Sequence, residues 1–319
     1  MGLEGPWGPF LRSASRREGQ IRAEAPACHA RLAPLRTALL TAFTLLAFAA
    51  NSLLCRAALG EQRIDPTSFT TVRLVSGALA LVLLARVFGE AREPGEARSS
   101  ATSWASGVVL FVYAIAFSLA YVSLNTGTGA LILFGTVQVT MIGAALRGGE
   151  RLGAGQWLGL LAAVAGLVYL VSPGLEAPDP VGALLMTASG VAWGLYSLRG
   201  RGAKAPVRGT ASNFVHSVPL TLVASGAGLS FAHLEPVGVA LAATSGVVTS
   251  GLGYALWYRA LRGLSTTQAS VVQLLVPVLA AGAGVAFLAE PLSTRLVTAS
   301  GAILGGVAVV VVARGRQGI

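Results

Sequence analysis

The sequence predicts an all-α membrane protein of ten transmembrane helices, built as two inverted five-helix repeats with both termini inside. Three observations carry this. Ten apolar runs divide the chain, the basic residues alternate sides between them, and the second half repeats the first at a fixed offset.

Composition excludes the soluble alternatives. Residues of the set AVILMFWYC make up 54% and charged residues 11% of the 319, where a soluble domain carries about 25% charged residues. Mean hydropathy is +0.70. The net charge of +10 is spread between apolar runs rather than gathered in one patch, so it points away from nucleic acid and toward membrane topology. The two cysteines, Cys28 and Cys55, and three scattered histidines form no CxxC or Cys/His cluster. No disulfide framework, metal site or cofactor is expected.

A helix needs roughly 20 mostly apolar residues to span a bilayer. The runs 35–55, 66–88, 103–122, 125–146, 154–172, 181–198, 210–231, 237–259, 265–288 and 294–313 meet this. Residues 1–34, with five arginines and four prolines, read as a loose basic cytoplasmic tail, and 314–319 as a second tail. With the N-terminus inside, 19 Lys/Arg fall on the inner side and three (Arg56, Arg63, Arg295) on the outer; Arg73 alone lies within a helix. That asymmetry follows the positive-inside rule.

TGTGALILFGTVQVTMIGAALRGGE (126–150) parallels TTQASVVQLLVPVLAAGAGVAFLAE (266–290) at an offset of 140 residues, which also sets Gly166 opposite Gly306. The repeats are 35–173 and 180–313. Five helices per repeat is an odd number, so the halves enter the membrane in opposite senses. Inverted repeats are a transporter architecture with the substrate site at the repeat interface.

The stretch GLGYALWYRALRGLSTTQASVVQLLVPVLAAGAGVAFLAEPLSTRLVTASGAILGGVAVV (251–310), with Pro277 in mid-run and Glu-Pro-Leu after the ninth run, resembles the drug/metabolite transporter superfamily, EamA type. Arg56, Arg73 in TTVRLVSGALAL and the Trp193–Gly194 pair extend the resemblance over nearly all of 35–313. Val137 replaces the proline of the repeat partner, and Ala50–Asn51 stands where the family usually has Trp-Gly. The resemblance implies a bacterial plasma-membrane permease, an exporter or facilitator of small metabolites or drug-like solutes.

Polar and aromatic residues inside the runs are the cavity candidates. Arg73 lies roughly 10 Å below the outer face at 1.5 Å per residue. It either attracts an anionic or carboxylate-bearing solute, or snorkels to the interface or binds backbone carbonyls, and its shallow depth favours the second pair. Tyr113, Phe117 and Tyr121, spaced by four, share a helix face flanked by Ser118. Asn51, Gln138 and Gln273 either read a polar solute or join helices. His216 reads as a structural hydrogen bond before a proton relay, and Trp193, Tyr196 and Tyr254 offer aromatic surface. Pro277 is a gate or hinge candidate, with a static kink as the plain alternative.

Gly155-x3-Gly159 and Gly301-x3-Gly305 permit close helix contact, within the chain or in a homodimer. None of the 13 acidic residues lies in mid-helix, which disfavours proton coupling through a central carboxylate. No Walker A motif is present, so transport driven by ATP on this chain is not expected. The alternatives are a membrane-embedded lipid-modifying enzyme, for which Glu150 and Glu290 would stand on opposite sides, and a non-transporting helical scaffold.

Overall fold

The computed structural model describes residues 35–87, 100–147, 152–174, 176–200, 205–261, 264 and 272–317. Ten helices, each overlapping one predicted run, and a short 3-10 turn at Leu229–Phe231 occur among them. The helices are α1 (Leu35–Leu59), α2 (Pro66–Val87), α3 (Ser100–Ala120), α4 (Thr126–Arg147), α5 (Ala154–Val171), α6 (Pro180–Gly200), α7 (Pro206–Ala227), α8, α9 (Leu275–Leu288) and α10 (Thr294–Gln317). Helix α8 is composite: an α segment Pro236–Thr244, a π segment Ser245–Leu252 and an α segment Gly253–Leu261.

Seven helices, α1 to α6 and Pro236–Trp257 of α8, are long and apolar enough to cross a membrane; α9 and Thr294–Val310 are shorter apolar helices. Leu39, Leu79, Leu83, Leu158, Leu184, Val223 and Phe287 are exposed on the outside of the bundle. In water so much apolar surface would drive aggregation, whereas lipid solvates it at no cost.

The apolar run of the ninth helix reads as 265–288, but regular α9 begins at Leu275. Residues 272–273 are helical and a turn at Leu274 intervenes. Pro277 explains the interruption: it has no N–H for the carbonyl four residues back, and its ring clashes there. Pro277 therefore sits in the first turn of α9 rather than at mid-helix. The N-terminal part of the predicted run, 265–271, lies outside the described residues, as do Glu150 and both tails apart from residues 314–317.

Three helices open on an acid–proline pair: Asp65–Pro66, Asp179–Pro180 and Glu235–Pro236. Proline is pre-shaped for the first helical position, and a carboxylate complements the helix N-terminus. Asp65 Oδ1 accepts from the Thr67 N–H (3.1 Å), the Thr67 hydroxyl (2.6 Å) and the Ser68 N–H (2.9 Å). Asp179 Oδ2 accepts from the Gly182 N–H at 2.6 Å. Burial pushes the Asp65 carboxyl up, but the hydrogen bonds from Ser68 and Thr67 and from the His233 backbone outweigh it and hold the group below its ordinary 3.8. A depressed carboxylate stabilises the fold above its ordinary value and loses that contribution as pH falls through the lower folded value. Between about pH 5 and pH 8 Asp65 adds no pH dependence. Asp65→Ala is expected to cost about 1 kcal/mol, read as thermal unfolding in detergent at neutral pH; an unchanged midpoint would refute the cap.

The same segment ties the repeats together. Ile64 and Leu234 form an antiparallel bridge, with Asp65 N–H donating to His233 O and Glu235 N–H to Arg63 O, both at 2.9 Å.

Three helices meet their own repeat counterparts: α2 packs on α7, α4 on α9 and α5 along α10, while α3 packs on α6 and α7. At the α5–α10 seam a Cβ at Gly166 would lie 2.9 Å from Ala302 Cβ and 3.1 Å from Ile303 N, and one at Gly306 would lie 3.2 Å from Ala162 Cβ and 2.7 Å from Ala163 N. Adding 140 to one member of each pair and subtracting it from the other interchanges the two sets. The seam therefore carries the pseudo-two-fold relation of the repeats in its contacts. The glycines that do this are Gly159, Gly166 and Gly306. Gly301 and Gly305 meet no atom within 4 Å, so the spacing that suggested them marks an open face instead.

Candidate substrate cavity

A cavity of about 20 Å³ lies between the repeats, walled by Phe48, Asn51 and Ser52 of α1, Tyr113 and Phe117 of α3, Leu133 and Phe134 of α4, Trp193 of α6 and Thr249, Ser250 and Tyr254 of α8. That is room for about one water, so the cavity is contracted as it stands. A larger hollow of about 460 Å³ opens among the loops at Ser123, Asn125, Glu176 and Asp179. Its acids are engaged: Glu176 accepts from the Arg295 N–H and Asp179 from Gly182 and Ser123. The smaller cavity is the one walled by helices of both repeats rather than by loops.

Its apolar wall is an aromatic cluster. Trp193 stacks on Tyr254 (centroids 5.3 Å, 29°) and on Tyr196 (5.5 Å, 28°), and Tyr113 lies 4.7 Å from Trp193. Phe48 meets Tyr254 edge-on at 5.9 Å. Such stacks leave flat, polarisable faces toward a solute.

The polar wall comes from α1 and the π segment. Asn51 Oδ1 accepts from Ser245 Oγ (2.8 Å) and Thr249 Oγ1 (3.0 Å), crossing from the first repeat to the second. A π turn carries one extra residue, and such turns recur at functional sites. Here it presents Ser245 and Thr249 to α1 and Ser250 to α2. Gly246 seats the segment on α2: a Cβ there would strike Ser76 Oγ and the Arg73 carbonyl.

Arg73 does not snorkel. Its side chain is 1% exposed and turns into the bundle. Nε donates to Ser250 Oγ at 3.4 Å and Nη2 to Tyr113 OH at 3.1 Å; the guanidinium lies 5.1 Å from the Phe117 centroid and 5.4 Å from that of Tyr113. Nη1 is buried without a hydrogen-bond partner. No carboxylate among the described residues pairs with Arg73.

The remaining candidates scatter. Ser118 accepts from Thr70 Oγ1 at 2.8 Å, joining α2 to α3, and Tyr121 packs over Gly129 with its hydroxyl on Thr126 O. Tyr196 sits behind Trp193 and accepts from Asn213 Nδ2 at 3.1 Å. Gln138 is buried one turn along α4 from Phe134, and Gln273 is half-buried before α9. His216 holds the Ser212 carbonyl at 2.6 Å through Nδ1 and packs edge-on to Trp104, away from the cavity. Ser52, Thr249 and Ser250 were missed as candidates. The sequence signal for Thr249 and Ser250 is the hydroxyl-rich stretch SGVVTSG (245–251), which reads equally well as glycine packing, and Ser52 has only its place beside Asn51.

At the end of the bundle where α4 begins, Glu290 makes a cross-repeat clasp. Its carboxylate accepts the Thr126 N–H through both oxygens (3.0 and 2.8 Å) and pairs with Arg56 Nε at 3.3 Å. Arg56 Nη1 donates to the carbonyls of Tyr121 and Val122. Helix α4, which opens on Asn125–Thr126 without an acid of its own, thus receives its N-terminal carboxylate from the other repeat.

A multi-pass helical bundle with a duplicated fold and a cavity between the duplicates defines a membrane transporter. The chain belongs to the EamA-like transporter family, whose model matches it twice, over residues 35–172 and 180–312. It is therefore a transporter, not an enzyme, and is integral to the membrane. It is 50% identical over 279 residues, 88% of this chain and 96% of the other, to an uncharacterised protein of Pseudomonas aeruginosa. An uncharacterised transporter of Archaeoglobus fulgidus is 27% identical over 213 residues, 63% of this chain and 73% of the other. A crystal structure covering 86% of this chain and 97% of its own superposes with a TM-score of 0.58 at 21% identity, a likeness of fold alone.

Proposed function

We propose that this protein is a secondary transporter, an exporter or facilitator, that moves a small metabolite or drug-like solute by alternating access of the cavity between its two repeats. The two units are 35–173 and 180–313, with both termini in the cytoplasm, an orientation that the arginine distribution supports. The observation that carries the reading is a single cavity walled by α1, α3 and α4 of one unit and α6 and α8 of the other. Rocking of one unit against the other changes the spacing of these walls. The Arg56–Glu290 clasp closes the outer end, where α4 begins. Asn51, Tyr113, Trp193 and Tyr254 contact the solute directly, and Arg73 stands behind Tyr113.

The test is uptake and efflux in proteoliposomes against a metabolite panel, with and without a pH gradient. Transport of at least one solute is expected, and its loss in Trp193→Ala with retained folding places the cavity on the path. A monodisperse protein that moves no member of the panel would overturn the reading.

A further inference from the structure

We infer that the cavity selects a solute with an anionic group, a carboxylate on an apolar or aromatic body, and that Arg73 is the specificity-determining residue. The inference rests on the transport reading above and names its substrate class.

Arginine keeps its charge in any protein environment, so burial cannot neutralise it. A buried cation within the bilayer is costly unless something satisfies it. Around Arg73 the described residues supply only neutral partners: a long contact to Ser250, one to Tyr113, and the faces of Phe117 and Tyr113. One nitrogen, Nη1, has no hydrogen-bond partner among them. The three side chains that hold the guanidinium, Tyr113, Phe117 and Ser250, are themselves walls of the cavity. The positive charge therefore stands immediately behind that wall, with one donor uncommitted. A carboxylate entering as the cavity widens satisfies that donor and the charge together, and the Trp193–Tyr254 stack takes the apolar body. The same charge repels amphipathic cations, and among the described residues no acid offsets it: Glu290 is bound to Arg56 and to the α4 N-terminus.

The test uses the full chain in nanodiscs and proteoliposomes with three probes of similar size: N-acetylphenylalanine, its amide, and phenethylammonium. The wild type is expected to bind the acid about tenfold more tightly than the amide and to bind the cation weakest. Arg73→Gln is expected to bring acid and amide within about twofold, and Arg73→Lys to keep the order. Size-exclusion profiles matching the wild type show that the variants fold. If Arg73→Gln fails to fold, Arg73→Lys and the wild-type ranking still decide. An amide or cation bound as tightly as the acid by the wild type overturns the inference, as does an unchanged preference in Arg73→Gln, or binding of none of the three. Transport of the amide but not the acid overturns it while leaving the transport reading intact. A wild type that moves neither these probes nor any metabolite of the wider panel overturns both.

Discussion

Gly306→Ala is expected to destabilise the protein by about 3 kcal/mol, and Gly306→Val by more. The added Cβ would sit 2.7 Å from the Ala163 nitrogen, and a Cβ at Gly159 would sit 2.5 Å from the Gly306 carbonyl. Both obstacles are backbone, so no rotamer change relieves them and α5 and α10 must separate. Separation opens the buried seam of Ala163, Leu274 and Val307. Gly305→Ala is the matched control. Its Cβ would meet nothing within 4 Å, and alanine outranks glycine in a helix by up to about 1 kcal/mol. Thermal unfolding in detergent should show Gly306→Ala well below the wild type and Gly305→Ala at or above it. Equal midpoints for the two would show that the seam is not the tight contact described.

Glu290→Gln is expected to release the clasp and shift the population toward an open outer end. The substitution removes the counter-ion of Arg56 and the charge at the start of α4 while conserving volume. The pair is only partly solvated, with Arg56 21% and Glu290 10% exposed, so its loss should weigh more than a surface ion pair and less than a fully buried one, about 2 kcal/mol. That corresponds to roughly a thirtyfold change in the closed-to-open ratio. A cysteine placed at Ser52, in a background with Cys28 and Cys55 replaced by serine, reports it. Its modification by an impermeant maleimide added outside should accelerate about tenfold or more in Glu290→Gln. An unchanged rate would mean that the clasp does not hold that end shut.

The fold was legible because the signals were redundant. Apolar length, arginine alternation and the 140-residue offset each located the same boundaries, and acid–proline pairs mark three helix starts. The start of α9 was not legible, because hydropathy records apolarity and not backbone hydrogen bonds, and Pro277 interrupts the helix without interrupting the apolar run. The cavity was partly legible. Asn51, Tyr113, Trp193 and Tyr254 stand out as polar or aromatic groups in apolar helices, and the structure brings them together. Arg73 was misjudged because depth along a helix does not reveal which way a long side chain turns. Thr249 and Ser250 were hidden for a different reason: they lie in a π segment, where the 3.6-residue spacing used to assign helix faces does not hold.

The π segment of α8 has a mechanical consequence. An insertion of one residue into a helix offsets everything beyond it by about 100° about the axis. Ser245 and Tyr254, on either side of that offset, are set to different angular phases by the backbone alone. Restoring ordinary winding there would screw Tyr254 and Trp257 about the axis by roughly a quarter-turn, and would carry Thr249, which lies inside the segment, away from Asn51 Oδ1. The angular position of Tyr254 in the cavity wall is thus set by the winding of the same segment that bonds to Asn51 across the repeats.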